Sequence, residues 1–545
     1  MSPDARRMAP HAAAVTRRGE ERGPEPAHPI AIGRGLVALG ALLRIARWFA
    51  NRSLWGDEGS LAINVVERSF AGLAGPLAHG QAAPIGFLWL EKAATLAFGE
   101  SEPALRLVPL LASLASLPLF LRLAREILGP RDALFALALF AISEPLVFYA
   151  SEVKPYASDV LVCLAITGLA LRALRRGPSP ARLAALAAAG LVGPWLSLPA
   201  VFVCAGAGLA VGLACVRRGD ASAALGTAAI CALWLAGFAI EYALLLRPLH
   251  TNQLLRESWQ GYFAPLPISA EALGWWGQRF LGFFNDPLGL PDAALAAILF
   301  AAGGVRLARR AGWETLLLLA PIGLVLAASL VGLHPFPTSS SYRLADRYYP
   351  FTGRLLLFTV PLALPCIAAG AAILLDSRSR FRRLAGAAAL ALLCAAPARQ
   401  AAWNLVDPPQ IHELRPLMPR LVELWAPGDR IFAQQYATGV VAYYARRFGL
   451  GALAGELALE SPEQIFRLAA QLRDLEPGQR FWLVTLHHPH WRSEEERDAI
   501  AAALGAIAER VETLEGDRAE ASLWRVTRGR PARSSKASSS RHRAV

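Results

Sequence analysis

The sequence predicts an all-α polytopic membrane protein, about eleven transmembrane helices followed by an extracytoplasmic α/β domain, and three observations predict it. First, 54% of its 545 residues are hydrophobic and only 18% are charged, too apolar for an ordinary water-soluble enzyme. Second, apolar runs of membrane-crossing length recur from residue 30 to residue 397, with arginines gathered in alternate turns between them. Third, the composition turns soluble after residue 404 and alternates short strand-like and helix-like stretches. The net charge of +13 sits in short clusters and not on one continuous face, a topological pattern that argues against nucleic-acid binding. Cys163, Cys204, Cys215, Cys231, Cys366 and Cys394 all fall in apolar stretches without CxxC spacing, so they read as small apolar packers, not as a disulfide framework or zinc site.

Residues 1–28 are polar and rich in Arg, Pro and Ala, with no apolar core leading to a cleavage site, and read as a disordered cytoplasmic tail. A transmembrane domain over 29–400 follows. Its spans read 30–46, 104–121, 132–148, 157–171, 183–195, 199–216, 222–246, 288–305, 313–333, 355–375 and 384–397. Alternate turns between them carry Arg122, Arg125 and Arg131; Arg172, Arg175, Arg176 and Arg182; Arg217 and Arg218; Arg306, Arg309 and Arg310; and Arg378, Arg380, Arg382 and Arg383. Because cytoplasmic turns accumulate Lys and Arg, the N-terminus reads as inside. The first outer loop (51–106), the loop 149–156, the loop 247–287 and everything after Pro397 then read as outside. This places a multi-pass protein in the inner (plasma) membrane, its C-terminal domain on the extracytoplasmic side.

The run from Ala83 to Phe98 would break that alternation if it crossed, and it contains Glu91 and Lys92. It reads as a juxtamembrane or re-entrant helix with its charges at the interface. In 247–287, Trp259, Tyr262, Phe263, Trp275, Trp276, Phe280, Phe283 and Phe284 are residues that an aromatic belt or a lipid-substrate groove would present to headgroups. Residues 405–527 read as a small α/β domain. Strands are expected at 429–433, 481–486 and 523–527, with helices around 440–447 and over 493–510, the latter with Ser493 as N-cap and Glu496 in a capping box. His487, His488 and His490 around Pro489 lack a carboxylate or cysteine at ligand spacing and read as an exposed turn. The tail 528–545 is basic, Ser-rich and expected to be disordered.

Chemistry concentrates in two outer stretches. Asp57 and Glu58, in Ser53-Leu54-Trp55-Gly56-Asp57-Glu58-Gly59, stand near a membrane boundary, where ionisable groups are costly unless they line a wet cavity or meet a partner. A carboxylate there, its pKa raised by a partly dry site, could take a proton from an acceptor; equally, Asp57 could simply cap an amphipathic helix from Gly59 onward. Lys154, in Glu152-Val153-Lys154-Pro155-Tyr156, could meet a phosphate as a point charge, as could Arg44 and Arg47 at the outer end of the first span. Interfacial snorkelling explains the same cations without a ligand.

Taken in order, Arg44, Ser53-Leu54-Trp55-Gly56-Asp57-Glu58, Ala83-Pro84-Ile85-Gly86-Phe87-Leu88, Phe98-Gly99-Glu100-Ser101-Glu102-Pro103-Ala104-Leu105-Arg106 and Ser151-Glu152-Val153-Lys154-Pro155-Tyr156 resemble the GT-C class of integral membrane glycosyltransferases. Within it they are similar to the branch of protein O-mannosyltransferases, the lipid A aminoarabinose transferase and the lipopolysaccharide-core galacturonosyltransferases. The resemblance covers about residues 30 to 175. It implies a sugar donor on a polyprenyl phosphate or pyrophosphate and transfer with inversion to an extracytoplasmic glycan, lipid or protein. It implies Asp57 as catalytic base and Glu58 as the second acid, orienting the acceptor or a cation. Lys154 and Arg44, with Arg47 beside it, would bind the donor phosphate, supported by Glu152 and Tyr156. Lys154 stands where many relatives have Arg, and the His-Phe pair that follows the acids in protein mannosyltransferases is absent. Some relatives use a divalent cation, but no ligand set is evident in this sequence. The rival readings are a transporter or flippase using acids as a proton relay, which expects acids buried mid-span, and an inactive lipid-binding scaffold.

Overall fold

The computed structural model describes residues 27–246, 259–339, 343–344, 347–348, 352–450, 453–457, 475–486, 501–502 and 504–527. The tails before residue 27 and after 527, the His487–His490 turn and the Ser493 capping box lie outside the described residues.

All eleven apolar stretches form helices. They are α1 (Ala27–Phe49), α4 (Leu107–Leu128), α5 (Pro130–Ile142), α6 (Tyr156–Arg176), α7 (Pro180–Leu196), α8 (Ala200–Arg217), α9 (Ala221–Glu241), α11 (Ala293–Arg310), α12 (Gly312–Leu330), α13 (Val360–Leu375) and α14 (Arg380–Val406). Among the described residues, eight are long and apolar enough to cross a membrane, and α5 with the bent continuation Glu144–Ser151 makes up to nine. The 54° bend falls at Ser143, where Pro145 lacks the N–H that would carry the helix through. The expected eleven is reduced because α7 has only 17 residues and α11 ends in a run holding Arg306, Arg309 and Arg310. α11 is nevertheless fixed in the bundle. A Cβ on Gly303 would stand 1.8 Å from Cys366 O, and one on Gly370 would stand 2.0 Å from Leu299 O, so α11 and α13 touch backbone to backbone.

The arginine turns share one end of the bundle. Arg306 and Arg131 both pair with Asp376, at 2.7 and 3.5 Å, Arg175 pairs with Glu314 at 2.7 Å, and Arg125 donates to Pro29 O. The opposite end carries α2 (Gly56–Glu67), α3 (Ile85–Phe98) and the surface helix α10 (Ala270–Asn285). α3 is a 14-residue helix, short of a span, but its charges are not at an interface. Lys92 Nζ donates to Val65 O and Val66 O at the end of α2, a cation at a helix C-terminus. Glu91 is fully buried with no hydrogen bond to either oxygen among the described residues. Burial, reinforced by nearby Glu58, pushes its pKa well above the usual carboxylate range. α10 exposes Leu273, Phe280 and Leu281, the apolar face expected of a membrane-surface helix.

The C-terminal sheet has five strands, β1 (Arg430–Gln434), β2 (Leu453–Leu457), β3 (Arg480–Leu486), β4 (Ala508–Gly516) and β5 (Ala519–Val526), in the order β2-β1-β3-β5-β4. The first three run parallel and the last two antiparallel. Two strands go beyond the sequence expectation. β2, Leu-Ala-Gly-Glu-Leu, has weak strand propensity and forms by pairing with β1. β4 replaces the end of the helix expected to reach Arg510, because a tight turn at Asp517-Arg518, with Arg518 at φ 54°, folds the segment onto β5.

Helix α15 (Thr438–Arg447) docks this domain on α2. A Cβ on Gly59 would lie 2.3 Å from Val440 Cβ, and one on Gly439 would lie 2.4 Å from Ser60 Cα, so each helix presents a glycine to the other. Replacing Gly59 with Val should therefore cost about 1–3 kcal/mol or more through overpacking. Purified full-length protein should show a lowered Tm and faster proteolysis of the C-terminal domain; an unchanged Tm would contradict this packing.

Candidate active site

Asp57 and Glu58 occupy the first turn of α2. Successive residues on a helix point about 100° apart, so adjacent carboxylates face different surroundings. Glu58 turns inward and is fully buried. Its Oε1 accepts Arg106 Nε at 2.9 Å and Val153 N at 2.9 Å; its Oε2 accepts Arg106 Nη2 at 2.6 Å and Arg52 Nη1 at 3.5 Å. Arg52 in turn donates to Ser151 O at 2.6 Å and to the Glu152 carboxylate, whose other oxygen accepts Trp55 Nε1 at 2.6 Å. Arg106 also donates to Arg52 O and Ser53 O. Two cations and two anions are thus buried together in charge balance, the condition under which such groups are tolerated. Burial drives the Glu58 pKa up, but Arg106 and Arg52 outweigh it and hold Glu58 below the usual carboxylate range.

Asp57 turns towards the partly open side. Its Oδ1 takes Lys154 Nζ at 2.9 Å and Gln81 Nε2 at 3.2 Å, while Lys154 Nζ also donates to Gln81 Oε1 at 2.6 Å. No hydrogen bond to its Oδ2 is found among the described residues, and the side chain is 17% exposed. Burial raises the Asp57 pKa, yet Lys154, Arg354 and the Gln81 bond outweigh it, leaving the carboxylate below its ordinary value. This corrects the expectation of a raised pKa: Lys154, expected to meet a phosphate, pairs with Asp57 itself. Arg354 hydrogen-bonds the Tyr156 side chain and lies over the Trp259 ring at 5.2 Å.

The C-terminal domain closes the site. Tyr436 is half-buried, and its Cε1 lies 2.7 Å from where a Gly56 Cβ would stand, so only glycine fits beside Asp57. His412 Nδ1 lies 3.5 Å from Gly56 N, Tyr444 Oη accepts Leu54 N at 2.8 Å, and Arg415 Nη2 donates to Asn51 O at 2.5 Å. Glu102 receives Arg447, Arg415 at 3.2 Å and Tyr444 Oη at 3.1 Å. The 51–56 segment is therefore gripped from both sides.

The structure brings together Asp57, Glu58, Glu152, Lys154 and Tyr156, and it sets Arg44 apart. Arg44 is fully buried and donates to Ser113 Oγ, Gly40 O, Ala141 O and Phe140 O, fastening α1 to α4 and α5. Arg47 pairs with Glu144 at 4.0 Å and lies over the Phe148 ring at 4.3 Å. Sequence reasoning missed Arg52, Gln81, Arg354 and Tyr436. Arg106 closed one of the blocks it singled out, but without a role. Arg52 and Gln81 adjoin two of those blocks, which was a usable signal; nothing local marks Arg354 or Tyr436. Among the described residues no three His, Cys, Asp or Glu side chains group as a metal site.

Comparison with known proteins bears on the fold. The chain superposes on "Crystal Structure of ArnT from Cupriavidus metallidurans bound to Undecaprenyl phosphate" with a TM-score of 0.54 and 16% identity over 90% of this chain and 98% of that one. The apo state of the same protein gives 0.52 and 14% over the same shares. The chain has the GT-C fold. Residues 82–239 match the family described as Dolichyl-phosphate-mannose-protein mannosyltransferase, a stretch of this GT-C chain that holds Gln81's neighbours, Arg106 and Lys154 but begins after Asp57. Curated protein sequences give no match.

The divided acidic pair predicts divided phenotypes. Glu58→Gln should cost about 3–5 kcal/mol, because it leaves Arg106 buried without its carboxylate partner. Asp57→Asn keeps an acceptor oxygen for Lys154 and Gln81 and should cost about 1 kcal/mol. Thermal unfolding of both variants in detergent checks this, and equal losses would contradict it.

Proposed function

We propose that this protein is a glycosyltransferase that moves a sugar from a polyprenyl-phosphate carrier to an acceptor, with inversion and with Asp57 as the base. The observation that carries the reading is Asp57 itself, a partly exposed carboxylate with one oxygen engaged by Lys154 and Gln81. The GT-C fold and a structural neighbour, ArnT from Cupriavidus metallidurans bound to undecaprenyl phosphate, support the carrier class. The acidic site lies at the bundle end opposite the arginine turns, which the positive-inside tendency puts in the cytoplasm. This supports an extracytoplasmic site.

In the step proposed, Asp57 takes the acceptor proton as the acceptor atom attacks the anomeric carbon. The bond from that carbon to the phosphate oxygen breaks, and the carrier phosphate leaves with the electron pair. Charge grows on the departing phosphate, where Lys154 and Arg354 are placed to meet it. A single displacement inverts the anomeric centre. A carboxylate with a depressed pKa is a weak base, and Lys154 supplies the remedy. A docking phosphate competes with Asp57 for Lys154, so the Asp57 pKa rises when the donor is bound. Glu58, with both oxygens committed to Arg106, Arg52 and Val153, acts as a positioning residue. The buried span acids Asp159 and Glu241 lie towards the Asp57 end of their helices, which does not fit a proton relay along a transport path.

Purified protein incubated with a panel of undecaprenyl-phosphate sugars should bind and consume at least one. Lys154→Ala should weaken binding by roughly tenfold or more, as expected for a lost charged contact. Failure to bind or consume any member would overturn the reading.

A further inference from the structure

Arg354 owes its place to a residue outside its own helix. The 3₁₀ turn that opens the Gly353–Leu375 span starts at Gly353, and Gly353 N donates to Asp286 Oδ2 at 2.7 Å. A Cβ on Gly353 would fall 2.2 Å from Asp286 Oδ1 and 2.7 Å from Asp286 C, so the two segments meet with no room for a side chain. Asp286 is fully buried and directly follows α10. Its own segment is anchored: Ser143 Oγ donates to Leu288 O, and a Cβ on Gly289 would meet Pro145 Cδ at 2.7 Å. The carboxylate therefore caps this span from outside, satisfying an N–H that the helix cannot, and it does so one residue before Arg354.

We propose that Asp286 is a positioning residue for phosphate binding: by holding the Gly353 N–H it fixes the start of the span so that Arg354 stands beside Asp57. This rests on the reading that the carrier phosphate meets Lys154 and Arg354. It also gives α10 a part in the site, because the surface helix reaches Arg354 through the residue that directly follows it.

The test measures binding of undecaprenyl phosphate to the full-length protein in nanodiscs. Arg354→Ala and Asp286→Ala should each weaken binding roughly tenfold, and the double variant should bind no more weakly than Arg354→Ala alone, the non-additivity of residues acting through one another. Asp286→Asn, which keeps an acceptor oxygen, should stay within about threefold of wild type. If Asp286→Ala does not fold, Gly353→Ala presses on the same contact from the other side and should produce the same loss. Wild-type affinity in Asp286→Ala or Gly353→Ala, with Arg354→Ala weak, would overturn the positioning role alone, as would additive losses. Wild-type affinity in Arg354→Ala would instead overturn the phosphate reading.

Discussion

Glu58 bound on both oxygens by Arg106 is the contact on which the rest of this end of the molecule depends. It joins α2 to the segment preceding α4, and through Val153 and Arg52 it fixes the loop that carries Lys154. Ion pairs this deep contribute little net stability, because desolvation offsets most of the attraction, but breaking one strands its partner. Such a cluster admits one arrangement of three distant segments and penalises the others. Lys154 reaches Asp57 because Glu152 and Val153 are held a residue or two earlier.

The same helical turn that buries Glu58 leaves Asp57 partly exposed. Neighbouring carboxylates thereby meet different surroundings, one saturated and fixed by arginines, the other paired with a lysine. The C-terminal domain belongs to this arrangement and not to a separate module. Tyr436, His412, Arg415 and Tyr444 grip the 51–56 segment, and the glycines at 56 and 59 are small because a domain lies on them.

The helical bundle was legible because each span repeats one signal, apolarity over a bilayer's thickness, interrupted by arginine. The acidic pair and Lys154 were legible as ionisable residues placed beside spans. Partnership was not legible. Arg44 and Arg106 are the same side chain near the ends of apolar segments, yet one is used up on bundle carbonyls and the other on Glu58, and only long-range packing distinguishes them. Glu91 looked interfacial because carboxylates seldom enter a core without a partner. β2 and β4 escaped notice because their pairing, not their composition, makes them strands.

The proposed transfer requires Asp57 to act as a base and not as a cap. The most direct measurement compares extracytoplasmic glycans by mass spectrometry in a deletion strain carrying wild-type or Asp57→Asn protein at matched membrane levels. If Asp57 is the base, one glycan lacks a single sugar in the deletion strain, wild type restores it and Asp57→Asn does not. Full restoration by Asp57→Asn would show the carboxylate to be structural and contradict the mechanism.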